Sequence, residues 1–146
     1  MPTLTSIPSG AAGYYAAQGD IENVFGTANV ATWSQLDPTQ STPDVSRIAC
    51  ALANADAQIN AFFRDGPYII PLADAADAPI TTCWAAVLAG AWLYFSRGLR
   101  DDNRDGDKLS ARQLAVYSDM ALYKSGIKRL SSPRRWPTPS APAAAQ

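Results

Sequence analysis

Apolar residues recur at helical spacing along most of the chain, and this pattern predicts four to five helices. The clearest run has members three or four residues apart: Val45, Ile48, Leu52, Ala55, Ile59 and Phe62. This spacing places the apolar side chains on one face of an α-helix about 30 Å long. Thr42 is a suitable N-cap for the helix, with Pro43 at its first position and Asp44 in its first turn.

Two shorter helices are predicted before this one. In residues 14–26, YYAAQGDIENVFG, the side chains of Ile21, Val24 and Phe25 share a helical face, and Gly26 is placed to end the helix. A second short helix is expected over residues 28–36. The segment DPTQSTPD then breaks the helical pattern with two prolines.

Two longer helices are predicted in the second half of the chain. Residues 79–97 are apolar on all sides, which is typical of a helix at the centre of a bundle. Its most apolar stretch, ITTCWAAVLAGAWLYF, is shorter than the roughly 20 residues that span a bilayer. Over residues 107–130, apolar positions recur by four and three: Val116, Met120, Tyr123, Ile127 and Leu130. Gly126 weakens this last helix near its end.

The expected fold is all-α, a small bundle of four to five helices with extended, proline-rich terminal segments. Residues 1–13 are predicted to be an N-terminal extension and residues 14–130 a single helical domain. Residues 131–146 form a C-terminal tail rich in Pro, Ser and Ala, which cannot build a core and is expected to be disordered in an isolated monomer. The tail nevertheless contains residue types that anchor interfaces: Arg134, Arg135 and Trp136.

An extended, proline-bounded stretch, PYIIPL, separates the second and third quarters of the chain. Its apolar side chains need a surface to cover them, either in the chain's own core or on a neighbouring subunit: Tyr68, Ile69, Ile70 and Leu72.

The charge is unevenly distributed although the net charge is only −1. Residues 1–80 carry eight acidic and two basic side chains, whereas residues 81–146 carry five acidic and ten basic ones. The basic end of the chain suits an acidic protein surface or nucleic acid. One possible function is therefore a small helical DNA-binding or regulatory module that uses the last helix and the tail.

Catalytic chemistry has little support in the composition. The chain contains no histidine, which removes the commonest general base and a common metal ligand. Its two cysteines, Cys50 and Cys83, lie in apolar helical patterns and are expected to be small core residues. We therefore expect a protein that is not an enzyme and that has no cofactor.

The segment DDNRDGDKLSAR resembles the first half of an EF-hand calcium loop. Asp101, Asn103 and Asp105 stand at its first, third and fifth positions. The twelfth position, where an EF-hand needs a bidentate Glu, is Arg112. The loop is thus only a weak metal candidate, and an acidic, solvated connection is the preferred interpretation.

The order of these segments resembles a family of small phage and prophage proteins first noticed in Mu-like genomes. They are head–tail connector proteins, also called adaptor or head-completion proteins. The resemblance covers residues 14–130, and its most specific element is the stretch Tyr68 to Leu72 after a helix that ends in aromatic residues. The matching segments are YYAAQGDIENVFG, AQINAFFRDGPYIIPL, ITTCWAAVLAGAWLYF, DDNRDGD and IKRL.

The resemblance implies a structural virion protein at the head–tail junction that is assembled in the host cytoplasm. Similar proteins form a ring, typically twelve-fold, that joins the portal to the tail and continues the DNA channel. The implied partners are further copies of the chain, the portal protein, a tail-side connector or tail terminator protein, and genomic double-stranded DNA that passes without specific binding; no membrane is involved. The resemblance further suggests a portal-binding region: Lys124, Lys128, Arg129, Arg134, Arg135 and Trp136. It makes the PYIIPL stretch a candidate subunit interface.

Overall fold

The computed structural model describes residues 14–37, 39–96 and 104–135, which form an all-α bundle of five helices. This confirms the predicted fold class. Outside the helices, Tyr68 and Arg134 form an isolated antiparallel bridge. The elements in chain order are α1 (Gln18–Phe25), α2 (Thr27–Ser34), α3 (Val45–Phe63), a 3₁₀ turn (Ala75–Asp77), α4 (Ala78–Phe95) and α5 (Arg104–Ser125).

Helix α4 is the centre of the bundle, and the other four helices pack against it. By length and composition alone, Ala75–Phe95 could cross a membrane. Here most of its side chains are instead buried by the rest of the fold, as expected for a core helix. The packing is closest at Gly90, where an added Cβ would lie 2.1 Å from Cε2 of Phe25.

The start of α3 differs from the prediction by two residues. Asp44, rather than Thr42, is the N-cap, and its Oδ1 accepts hydrogen bonds from the backbone N–H groups of Ser46 (3.0 Å) and Arg47 (3.3 Å). Pro43 therefore precedes the helix instead of occupying its first position. A carboxylate at this point satisfies two free N–H groups and also interacts favourably with the helix dipole.

The two glycines at helix ends have different consequences. Gly26 has φ 93° and ends α1 where the sequence predicts it. Gly126 has φ 91° and ends α5 at Ser125, so the prediction that this helix continues to Leu130 is wrong. One consequence is that the side chain of Ile127 is 76% exposed.

The prediction that both cysteines are core residues is also wrong. Cys50 lies on the outer side of α3, and Cys83 faces an open groove of ≈ 810 Å³ whose walls are α1, α4 and α5. Both thiols are exposed because each lies just outside the apolar face that its helix buries.

Candidate functional site

The residues after α5 cross the connection between α3 and α4 and are hydrogen-bonded along their length. We call residues 130–135 the C-terminal strap. The backbone N–H of Leu130 donates to the Tyr68 hydroxyl at 2.8 Å, and that of Ile69 donates to the Pro133 carbonyl at 2.9 Å. The N–H of Arg135 donates to the Pro67 carbonyl at 2.6 Å. The packed domain therefore extends to Arg135, five residues beyond the predicted boundary.

Asp77, at the end of the 3₁₀ turn, holds the middle of the strap. Its side chain is buried and accepts hydrogen bonds from the N–H groups of Ser131 and Ser132, both at 2.8 Å. The Ser132 hydroxyl donates to the same carboxylate at 2.5 Å and accepts from the N–H of Asp74 at 3.3 Å. Hydrogen bonds to a carboxylate are stronger than those between neutral groups, so Asp77 is the main anchor of the strap.

The two arginines of the strap contact this chain itself. The Arg134 guanidinium carbon lies 5.2 Å from the centre of the Tyr68 ring, a cation–π contact. Its Nε and Nη1 atoms are buried with no hydrogen-bond partner among the described residues. The Nη2 group of Arg135 donates to the carbonyl oxygens of Tyr68 (3.3 Å) and Arg64. Both predicted partner-binding arginines thus fasten the strap, while Trp136 lies outside the described residues.

The lysines predicted to bind the portal have acidic neighbours within the chain. Lys124 Nζ lies 2.8 Å from Asp65 Oδ1, and Lys128 Nζ lies 3.5 Å from Asp119 Oδ1. The hydrogen bond and charge of Lys124 lower the pKa of the Asp65 carboxyl. Arg129 is exposed. Ion pairs at the surface are weak, so each lysine can leave its acidic neighbour and bind a carboxylate of another protein.

The predicted subunit interface divides into buried and exposed residues. Tyr68 and Leu72 are 0% and 4% exposed and belong to the chain's own core, so the prediction that they contact a neighbouring subunit does not fit this fold. Ile70 is half-buried, and Ile69 is 47% exposed and remains available. The alternation follows from the extended backbone, in which successive side chains point in opposite directions.

A second buried carboxylate holds the other end of the described chain. Asp56 of α3 accepts hydrogen bonds from the N–H groups of Tyr14 (2.6 Å) and Tyr15 (3.1 Å). Burial raises the pKa of the Asp56 carboxyl, although these two hydrogen bonds oppose the shift. The Tyr15 hydroxyl in turn accepts from the N–H of Leu72 at 2.9 Å. Both ends of the described chain are therefore fastened to the α3–α4 connection or beside it.

Each of the two longest helices has an outward stripe without charged side chains, within residues 46–61 of α3 and 110–125 of α5; the exposed Lys108 and Arg112 lie beside the stripe of α5. We define the α3 face as Ser46, Ala49, Cys50, Ala53, Ala57 and Ala61. We define the α5 face as Ser110, Ala111, Leu114, Ala115, Ser118, Ala121 and Ser125. All these residues are exposed except Ala49, which is half-buried, and the Leu114 side chain is 66% exposed. Helix faces that meet water usually carry charged and polar residues. Two neutral faces of small side chains are instead suited to close packing against other helices.

Sequence reasoning identified the basic residues but missed Asp56, Asp77 and the two neutral faces. The signal for Asp56 was its position four residues after Leu52 and three before Ile59, which places its side chain on the buried face of α3. The neutral faces could have been found from the spacing of the alanines, because Ala49, Ala53, Ala57 and Ala61 recur every four residues.

The metal candidate predicted from the sequence falls outside the part of the chain that the structure describes. Asp101, Asn103 and the side chain of Asp105 lie outside the described residues. Among the residues that the structure does describe, no three His, Cys, Asp or Glu side chains are grouped to hold a metal ion. Comparison of the chain with models of protein families, with curated proteins and with solved structures found no match.

Proposed function

We propose that this chain is a structural subunit of a phage head–tail connector. Its copies form a ring that joins the portal to the tail and continues the DNA channel. The observation that carries the proposal is the pair of neutral faces on α3 and α5. A ring of identical subunits uses a heterologous contact, in which one face of each copy meets a different face of the next. The chain offers two such faces on two different helices.

The chemistry of the faces supports a helix-to-helix contact. Alanine and serine allow two helix backbones to approach closely, and the exposed Leu114 provides a larger side chain that a row of alanines can receive. Because neither face carries a charge, their contact does not desolvate an ion. A face rich in Lys and Glu would not have this property.

The portal contact is assigned to the surface around the end of α5. Lys128 and Arg129 are exposed there, and Trp136 follows the strap in the sequence. The strap holds Arg135 beside Pro67, so the chain continues beyond Arg135 from this position. In this proposal the protein is located at the head–tail junction of the virion, and genomic DNA passes through the ring without specific binding.

The experiment is to measure the mass of the purified protein alone and after mixing with the portal protein encoded by the same genome. We expect a portal complex with a fixed, high number of copies. Ala57→Lys on the α3 face, or Leu114→Lys on the α5 face, should prevent formation of this complex. Ala28→Lys, at an exposed position of α2, is the matched control and should assemble normally.

Three results would argue against a connector. They are a protein that ignores the portal, a complex that contains a single copy, and a complex without a fixed number of copies. Equal assembly by the Ala57→Lys and Ala28→Lys variants would instead refute the assignment of the ring contact to the α3 face. Salt-dependent binding of the isolated protein to duplex DNA would instead favour the DNA-binding alternative. The cations of the strap make that outcome less expected, since Arg134 and Arg135 contact groups of their own chain.

A further inference from the structure

The apolar pattern of α5 continues beyond the point where the helix ends. Ile127 follows Tyr123 by four residues and Leu130 follows Ile127 by three, so a longer helix would place both on the buried face with Met120. In the structure the helix stops at Ser125. Among the described residues, Ile127 is then the most exposed of the large hydrophobic side chains, at 76%. The end of α5 thus satisfies the backbone but leaves an apolar residue in water.

A single residue is responsible for this helix end. Gly126 has φ 91°, a conformation that glycine adopts easily and L-residues with a side chain rarely do. A Cβ at Gly126 would have no atom within 4 Å, so space does not require a glycine here. The backbone conformation alone requires it. Ile127, Lys128 and Arg129, which link Gly126 to the strap, are all exposed.

The docking site of the strap can accept either the strap of its own chain or the identical strap of a second copy. We call the surface formed by residues 64–77 the strap cleft. Without a strap, the buried carboxylate of Asp77 would lose three hydrogen bonds and the Tyr68 hydroxyl would lose one. An empty cleft is therefore unfavourable. An identical strap from a second copy would restore every one of these contacts.

We propose that residues 126–135 are an arm that is exchanged between neighbouring copies. In the exchanged state α5 extends through Leu130, and the strap docks in the strap cleft of the next copy. Ile127 then joins the apolar face of α5. This inference rests on the proposed ring, to which it adds a second contact, because each cleft is completed by the partner copy's strap.

The first test changes the helix end without removing any contact. Gly126→Ala disfavours the positive φ that residue 126 adopts when the strap lies on its own chain, and it favours a helix at this position. The equilibrium should therefore shift about tenfold or more towards the exchanged state. Native mass spectrometry should show a correspondingly larger oligomer fraction. Gly19→Ala is the matched control, because Gly19 lies inside α1 with equally open space around it. It should leave the oligomer fraction unchanged.

The second test detects exchange directly by disulfide formation. Ile69 and Pro133 are exposed and lie opposite each other where the strap meets the strap cleft, joined by a hydrogen bond of 2.9 Å. Directly opposed residues of antiparallel segments are close enough for a disulfide. We would mix a tagged Ile69→Cys chain with an untagged Pro133→Cys chain, both carrying Cys50→Ser and Cys83→Ser. Because exposed cysteines also react by collision, the control pairs the Ile69→Cys chain with an Ala28→Cys chain; a mixed disulfide well above this control shows that the strap of one chain lies on the cleft of the other.

The expected result is a mixed disulfide under oxidising conditions that increases about tenfold when both chains also carry Gly126→Ala. A chain with both Ile69→Cys and Pro133→Cys should close on itself, remain monomeric, and assemble only after reduction. The absence of a mixed disulfide even with Gly126→Ala would overturn the inference, as would normal ring assembly by the closed chain. In the latter case the connector proposal stands. A mixed disulfide without any portal complex would support the arm and count against the connector.

Discussion

Replacing Asp77 with alanine removes the main anchor of the C-terminal strap. Three hydrogen bonds to the carboxylate are lost, from Ser131 N, Ser132 N and Ser132 Oγ. At about 1 kcal/mol for each bond, the free energy of unfolding should fall by about 3 kcal/mol. For a domain of this size that corresponds to a melting temperature about 6 to 12 °C lower. This decrease in the free energy of unfolding cannot exceed the free energy with which the strap docks, because a more weakened strap would simply detach from the folded domain.

This limit allows a double-mutant cycle. Urea denaturation would compare the parent chain, Asp77→Ala, a chain truncated after Leu130, and the truncated chain with Asp77→Ala. In the truncated chain Asp77 has no strap donors and its carboxylate meets water, so the substitution should cost less than about 0.5 kcal/mol. Hydrogen exchange at Ser131 and Ser132 should be fast in the full-length variant. Equal destabilisation of the full and truncated chains would show that Asp77 stabilises the start of α4 and does not act through the strap.

Three further changes test other parts of the fold. Burial raises the pKa of the Asp56 carboxyl in the folded chain. The protonated carboxyl therefore stabilises the fold fully below the unfolded-state pKa near 4, and this stabilisation is lost as the pH rises through the folded-state pKa. In urea titrations between pH 4 and pH 7, the parent chain should lose more stability than the Asp56→Asn variant. Gly90→Ala should cost about 1 to 3 kcal/mol, since the new Cβ displaces the Phe25 ring, and an unchanged thermal melt would contradict this packing. Arg47→Lys removes the guanidinium hydrogen bonds that join α2, α3 and α4 and the cation–π contact with Trp92. We expect the free energy of unfolding, measured by thermal melting, to fall by about 1 to 3 kcal/mol. An unchanged free energy of unfolding would show that a positive charge alone is sufficient at this position.

The helices and most of the core could be predicted because periodicity reports which face of a helix is buried. Ile48, Leu52 and Ile59 belong to one run in the sequence and are all at most 1% exposed in the fold. Cys50 and Cys83 show the limit of this reasoning. A residue near an apolar run is buried only if its angle around the helix points to the core, and both cysteines point away from it.

The anchors of the chain ends could not be predicted from composition. A tail rich in Pro, Ser and Ala is expected to be disordered, because it has too little apolar surface to bury. Residues 131–135 are held by hydrogen bonds instead, chiefly to the carboxylate of Asp77. Such an anchor is a single side chain 54 residues away in sequence from Ser131, and no local pattern indicates it.

The end of α5 is the place where two local signals in the sequence disagree. The apolar spacing of Tyr123, Ile127 and Leu130 favours a helix that continues, whereas Gly126 favours one that stops. In the single chain Gly126 determines the outcome, because stopping lets the strap reach Asp77 and satisfy its carboxylate. The exposed Ile127 is the cost of that arrangement. A neighbouring copy that supplied its own strap would remove the reason for stopping, and the apolar spacing would then favour the longer helix.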